Sequence, residues 1–327
     1  MQLPISHIAG RHCASTALAN LARFHGLNLS EAMCFGLGEG LGMYYLTMPG
    51  LEPARSIAVR ALDYEQQFFT HLGLPFRWDQ HDDPQAAEAA LLEALDRGRL
   101  ALVQTDIFYL PYYQSKTHFA GHLITVWGYD RAEQVFLVTD TERAQVYRVP
   151  FAAMRQARYC PTPPFIMKGN LIAPPELHLI ADLRQAIRNA MVGNSARLLA
   201  EDLPFQGMAA LRLWLEDLPK WATLADWKWT ARLAYQTIQK RGTGGGGFRL
   251  MYAEFLREAT PLLPAIEELG LASAMQALGK AWDDLALALR ELSEKAQPEL
   301  AGVERALKHL GPLEEAYHRR VAAWGQA

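Results

Sequence analysis

The feature that most constrains this chain is a change of pattern around residues 160–176, "CPTPPFIMKGNLIAPPE". Ahead of it, strand-like and helix-like periodicities alternate. Beyond it, nearly every segment repeats its apolar residues at helical spacing. Proline cannot donate to a helix or sheet ladder, so its concentration here reads as a domain boundary or rigid linker. The expected architecture is α+β: a mixed N-terminal domain over 1–165 and a mostly α-helical C-terminal domain over 176–327. A chain of 327 residues is long enough for both. Its net charge of −3 argues against a dominant nucleic-acid footprint. The three cysteines, Cys13, Cys34 and Cys160, include no Cys-x-x-Cys pair and cannot build a disulfide framework. No basic start leads into an apolar run, and no stretch is long enough to span a bilayer. A soluble, cytoplasmic protein with no membrane contact is expected.

Within the first half, a helix is expected from about Cys13 to His25, stopped by Gly26, and a second opens at Ser30–Glu31. "FGLGEGLGMYYL" (35–46) reads as a glycine-rich loop running into a strand. The stretch 54–73 should end in a helix before Gly73. "DPQAAEAALLEALDRG" (83–98) carries a helix start at Asp83–Pro84 and a stop at Gly98. Strands follow at 100–110, 121–130 and 134–140, the last two separated by hairpin length. After residue 176 the patterns are helical throughout: 177–191, 194–203, 207–218, 221–240, 248–256, 260–293 and 297–324. This large apolar half is compatible with a homodimer.

Cys13 stands where a nucleophile would. A thiol at a helix N-terminus lies near the positive end of the helix dipole, which favours thiolate. Free cysteines also often serve only as core residues, so partners decide the matter. His122 begins a strongly apolar strand, and Asp140 ends the next, "FLVTD". A hairpin would bring the start of one strand beside the end of the other. His122 would then accept the thiol proton, and Asp140 would orient the imidazole. The order Cys, His, Asp on helix, strand and strand is that of papain-like thiol enzymes.

Longer stretches carry a family likeness. "HIAGRHCASTALANLARFHGLNLSEAMCFGLGEGLG", "FYLPYYQSKTHFAGHLITVWGYD" and "FLVTDTERAQVYRVPFAAMRQAR" resemble the N-terminal module of the butirosin biosynthesis protein H family. The helical half, with "KRGTGGGGFRLMYAEFL" (240–256), resembles the companion domain of that module. The Cys-helix and His-strand-Asp layout is more distantly similar to bacteriocin-processing cysteine peptidases. The resemblance implies an acyltransferase that moves an aminoacyl group from an acyl carrier protein thioester to a small-molecule amine. It implies Cys13 as nucleophile, His122 as general base and acid, and Asp140 as orienter. It implies no cofactor of the enzyme's own, since phosphopantetheine arrives on the carrier protein. Related peptidases place an oxyanion-donating glutamine about six residues before the cysteine. Here that position is His7, leaving His7 or the Cys13 N–H for the role. A thiol hydrolase shares the triad and differs only in the acceptor. A non-catalytic binding protein of the same shape would keep Cys13 buried and inert.

Other motifs are weaker. "RGTGGGGFR" (241–249) has the composition of an anion cradle, with Arg241, Gly244 and Arg249 as candidate contacts, or of a flexible inter-helix loop. It lacks the Lys-Ser/Thr of a phosphate-binding loop. Asp106, Tyr109 and Tyr112 follow a buried-strand pattern and are candidates for lining a substrate pocket. His118 and His122 are four apart but run into a strand and lack a glutamate partner, so no metal site is expected. Cys34 and Cys160 lack an activating setting. The tryptophans at 214–229 read as helix packing.

Overall fold

The computed structural model describes residues 1–48, 50, 52–161, 166–179 and 182–326. In chain order the first half contains α1 (Cys13–Phe24), α2 (Glu31–Leu37), β1 (Leu41–Thr47), β2 (Arg55–Arg60), α3 (Tyr64–Leu72) and α4 (Pro84–Asp96). It continues through β3 (Ala101–Thr105), β4 (His122–Asp130), β5 (Val135–Asp140), β6 (Arg143–Pro150) and α5 (Phe151–Ala157). Short strands follow: β7 (Tyr159–Cys160), β8 (Met167–Lys168) and β9 (Leu171–Ile172). The second half is helical: α6 (Leu183–Leu199), α7 (Gly207–Asp217), α8 (Trp227–Gln239), α9 (Arg249–Ala259), α10 (Ala265–Glu268), α11 (Leu271–Glu294) and α12 (Ala301–Gln326). The class is α+β.

The chain divides into two compact units whose boundary differs from the expected one. The first comprises Met1–Cys34 and Leu74–Ile180, the second Phe35–Gly73 and Ala181–Ala327. The stretch 35–73 therefore belongs with the helices. Its physical reason is burial within that unit: Asn194 on α6 brackets Leu41, accepting from its N–H at 3.2 Å and donating to its carbonyl at 2.8 Å. Residues 35–37 are helical rather than looped. The proline-rich stretch also holds more structure than a linker would, since β9 pairs with β3 at Leu102↔Ile172 and Val103↔Leu171. Residues 162–165 of that stretch lie outside the described residues.

The first unit is built on an antiparallel sheet ordered β6-β5-β4-β3-β9. β4 is buried along almost its whole length, as a central strand covered on both faces must be. The β4–β5 turn closes on Asp130, whose carboxylate accepts from the Ala132 and Glu133 N–H groups. On one face lies α1, with Leu18, Leu21 and Ala22 fully buried. Burying each such leucine contributes about 1.5–3 kcal/mol, enough to hold a helix too short to persist alone. Residues 1–3 run along the β4 bulge, where Leu3 donates to Trp127 O at 2.8 Å.

The second unit encloses a stack of Tyr45, Trp214 and Trp221, so these two tryptophans pack. Tyr45 donates to Asp217 at 2.7 Å and accepts from Trp221 Nε1 at 2.8 Å. Trp229, by contrast, is exposed.

Candidate active site

Cys13 is the first residue of α1 and is partly exposed. The turn before it is held from three sides. Glu31 Oε1 accepts from the Arg11 N–H at 2.9 Å, the His12 N–H at 2.8 Å, and the Ser15 and Thr16 hydroxyls at 3.1 Å each. Gly10 N–H donates to Thr141 O at 2.9 Å, tying this turn to the residue after Asp140. Gly10 is needed for space rather than for an unusual φ: a Cβ there would stand 2.1 Å from Thr16 Oγ1. His12 is the N-cap, and its side chain accepts from Ser15 N.

His122 starts β4 and Asp140 ends β5, two strands paired through Thr125↔Thr139 and Val126↔Val138. His122 Nε2 lies 2.8 Å from Asp140 Oδ1, with both side chains almost wholly buried. Cys13 and His122 are close enough for each to shift the other's proton affinity, and His122 Nε2 is committed to Asp140. Nδ1 is thus the ring atom left for sulfur. Asp140 takes two further hydrogen bonds, from Tyr112 Oη to Oδ2 at 2.7 Å and from Thr141 Oγ1 to Oδ1 at 2.8 Å. Tyr113 Oη lies 3.2 Å from His122 Nε2, and the Arg143 guanidinium sits 4.6 Å above the Tyr113 ring.

Electrostatics favour an ion pair. Burial pushes the Cys13 thiol up, but the His12 and His122 rings beside it overcome this and hold it well below its ordinary range. Burial pushes His122 down, while Asp140 and then Cys13 push it up to about 10. Burial would raise Asp140, yet His122, Tyr112 and Thr141 keep it below the usual carboxylate value. Tyr112 is raised by burial and by Asp140, so it remains a protonated donor. The arrangement is one of thiolate, imidazolium and carboxylate in series.

The other sequence candidates fall elsewhere. His7 cannot serve as an oxyanion donor in this geometry. Its Nδ1 accepts from Asn20 Nδ2 at 2.9 Å, which leaves Nε2–H to donate to Arg143 O at 3.1 Å. Both ring nitrogens are spent. The Cys13 N–H, at the open end of α1, takes no acceptor among the described residues. Asp106 is used up within its own loop: it accepts from the Phe108 and Phe119 N–H groups at 3.0 and 2.9 Å and contacts His118 Nδ1 at 2.6 Å. Tyr109 packs edge-on against Phe108 and His118. Tyr112 meets Asp140 instead of lining an open pocket.

Arg241, Gly244 and Arg249 lie in the second unit. The glycine loop does not present a free cradle, because Gly245 N–H is taken by Thr243 Oγ1 at 3.1 Å and Gly246 N–H by Asp283 Oδ1 at 2.6 Å. Its glycines answer a steric need. Gly246 has φ +57°, and a Cβ there would stand 2.9 Å from the Gly279 backbone. Arg249 is fully buried, 2.5 Å from Glu314 and stacked on Trp282. Arg241 and Gly244 remain exposed.

Four site residues escape a reading of the sequence: His12, Asn20, Glu31 and Tyr113. Asn20 leaves a local signal, a polar residue on the apolar face of α1. Glu31 leaves none, since its partners lie 15 to 20 positions earlier.

Two family descriptions match the chain: Butirosin biosynthesis protein H, N-terminal, over residues 12–141, and Domain of unknown function (DUF4872), over residues 152–321. The chain belongs to the butirosin biosynthesis protein H family. Membership places it with antibiotic biosynthesis and marks it as a biosynthetic enzyme. The N-terminal match runs from one residue before Cys13 to one residue after Asp140, and so encloses the whole triad. No curated protein matches the chain. Among the described residues, no helix is long and apolar enough to cross a membrane, and no His/Cys/Asp/Glu group could hold a metal ion.

Proposed function

We propose that this enzyme is an amide-forming acyltransferase with a papain-like N-terminal domain, acting on an acyl carrier protein thioester. The observation that carries the reading is the buried His122–Asp140 pair at 2.8 Å, with the Cys13 thiol held well below its ordinary range by the rings of His12 and His122. The Cys13 thiolate attacks the thioester carbonyl, and the Cys13 N–H stabilises the oxyanion. Collapse breaks the carbon–sulfur bond to pantetheine, whose thiolate takes the proton from His122. An acyl-enzyme results. His122 has then lost both its proton and the thiolate that had raised its pKa, so it is a competent base for the incoming amine. The amine nitrogen attacks, its proton passes to His122, and Cys13 thiolate leaves as the amide forms. Thioester to amide runs downhill, so the chemistry calls for no nucleotide or metal.

Incubation with an acyl-loaded carrier protein and a panel of amines tests this, with products read by mass spectrometry. Amide formation that disappears in C13S is expected. Release of free acid alone, unaffected by amine, would assign the triad to hydrolysis instead. Transfer persisting in C13S would remove the acyl-enzyme route.

A further inference from the structure

We propose that Tyr113 is a positioning residue for His122, whose Nε2–H it shares with Asp140 in a three-centre hydrogen bond. The proposal rests on His122 being the base that serves Cys13. His122 Nε2 faces two oxygens, Asp140 Oδ1 at 2.8 Å and Tyr113 Oη at 3.2 Å. Which atom carries the proton follows from all the partners taken together. Asp140 accepts from the Tyr112 hydroxyl at 2.7 Å and the Thr141 hydroxyl at 2.8 Å, and is held below the usual carboxylate value. It is an anion with no proton to give. An unprotonated Nε2 would set two acceptors 2.8 Å apart, so the ring proton resides on Nε2. A hydroxyl oxygen that faces an N–H accepts, so Tyr113 turns a lone pair to the imidazole and its own proton elsewhere. The longer of the two contacts is the minor arm of a bifurcated bond.

Tyr113 is itself braced. Its N–H donates to Leu110 O at 3.0 Å, and the Arg143 guanidinium lies 4.6 Å from its ring centroid. Its ring stands nearly perpendicular to that of His122, with centroids 5.5 Å apart. Two acceptors on one N–H fix both the plane and the sense of the imidazole, so that Nδ1 is the nitrogen left free. A lone pair at Nε2–H also favours the imidazolium over the neutral ring. The other charged or titratable groups that face His122 are Cys13 on α1, Asp140 on β5 and Tyr112 in the loop before β4. Arg143 on β6 and Glu142 ahead of it act on Tyr113, and His12 precedes Cys13 in the chain.

Y113F tests the proposal, because it keeps the ring and its contact with Arg143 while removing the oxygen. The readout is the ¹⁵N spectrum of the full chain, labelled at histidine, as pH is raised. In the wild type His122 should keep its proton on Nε2 and give up the one on Nδ1. In Y113F that step should come about half a pH unit lower, a threefold change of the size a minor hydrogen bond supplies. The acid inflection of Cys13 alkylation by iodoacetamide, with the partly exposed Cys160 as reference, should not move. The thiolate is protonated beside an imidazolium in both proteins, whereas a merely structural role would disturb both readouts. A His122 titration identical in Y113F and wild type would overturn the proposal. So would a neutral His122 with its proton on Nδ1, or a shift of both readouts together. A wild-type Cys13 alkylated no faster than Cys160 would overturn it as well, by removing the nucleophile. Neither measurement requires an acyl donor. A chain that titrates as stated yet transfers no acyl group would remove the acyltransferase reading and leave Tyr113 in its role.

Discussion

Cys13, His122 and Asp140 set the pH behaviour of the site. The thiol is held below its ordinary range and the imidazole is pushed up to about 10, so the ion pair persists through neutral pH. Turnover limited by thiolate attack should fall on the acid side as Cys13 protonates. It should fall on the alkaline side only as His122 loses its proton, beyond the ordinary imidazole range. D140N keeps the shape but removes the negative charge that does most to raise His122. In this variant the Cys13 labelling inflection should rise and transfer should drop by roughly 10²–10⁴-fold, the usual worth of a positioned acid–base group. An unchanged pH profile in D140N would show that Asp140 does not set the imidazolium. These three residues announce themselves by type and by their places at element ends. His12 and Tyr113 do not, because histidine and tyrosine at such positions are ordinary until a partner is seen.

At the scale of elements, the β4–β5 hairpin and the loop leading into β4 share the labour. The hairpin brings His122 to Asp140 through local pairing, which a short turn makes nearly obligatory. The loop then lays Tyr112 on the far oxygen of Asp140. Y112F leaves Oδ2 of a buried carboxylate without this donor, and should cost about 1–3 kcal/mol of stability. A lowered urea midpoint at unchanged slope would show it. A midpoint equal to wild type would mean that water or Thr141 replaces the lost bond. That hairpin could be read from alternating apolar residues around a short polar break. The tyrosine contact could not, since it joins positions 28 apart across an irregular loop. Residues 35–37 illustrate the opposite failure. Gly36 and Gly38 suggest a loop, yet burial of Phe35 and Leu37 carries α2 through.

For the whole molecule, composition foretold two parts but not their boundary, because burial rather than local pattern assigns 35–73 to the helical unit. That unit contains its own buried charge pair. Glu314 accepts from Arg249 and from Trp282 Nε1 at 2.9 Å, and burial, which would raise it, is outweighed by Arg249 and His318, so that it sits at about 2. Because the folded value is depressed, its contribution to stability is present above the ordinary carboxylate range and is lost as pH falls through about 2. E314A leaves a buried guanidinium unpaired and should destabilise the chain by about 3–5 kcal/mol, read by thermal unfolding. Replacing both partners by apolar residues of similar volume should recover most of that loss. Failure of the double variant to recover would mean that packing around Arg249, not its charge, is what E314A disturbs.

The sequence by itself determined the α+β class, the helix that opens on Cys13, and the meeting of His122 with Asp140. Each depends on periodicity, on a residue at an element end, or on a short turn, and these are local properties of the chain. Tertiary structure alone decided that His7 is spent between Asn20 and Arg143, that Glu31 holds the nucleophile's turn, and that Arg249 belongs to a core rather than a cradle. Those outcomes turn on which buried donors find acceptors far along the chain. Leaving a buried polar group unpaired costs more than most local preferences provide, so the packed structure, and not the neighbouring residues, chooses the partner.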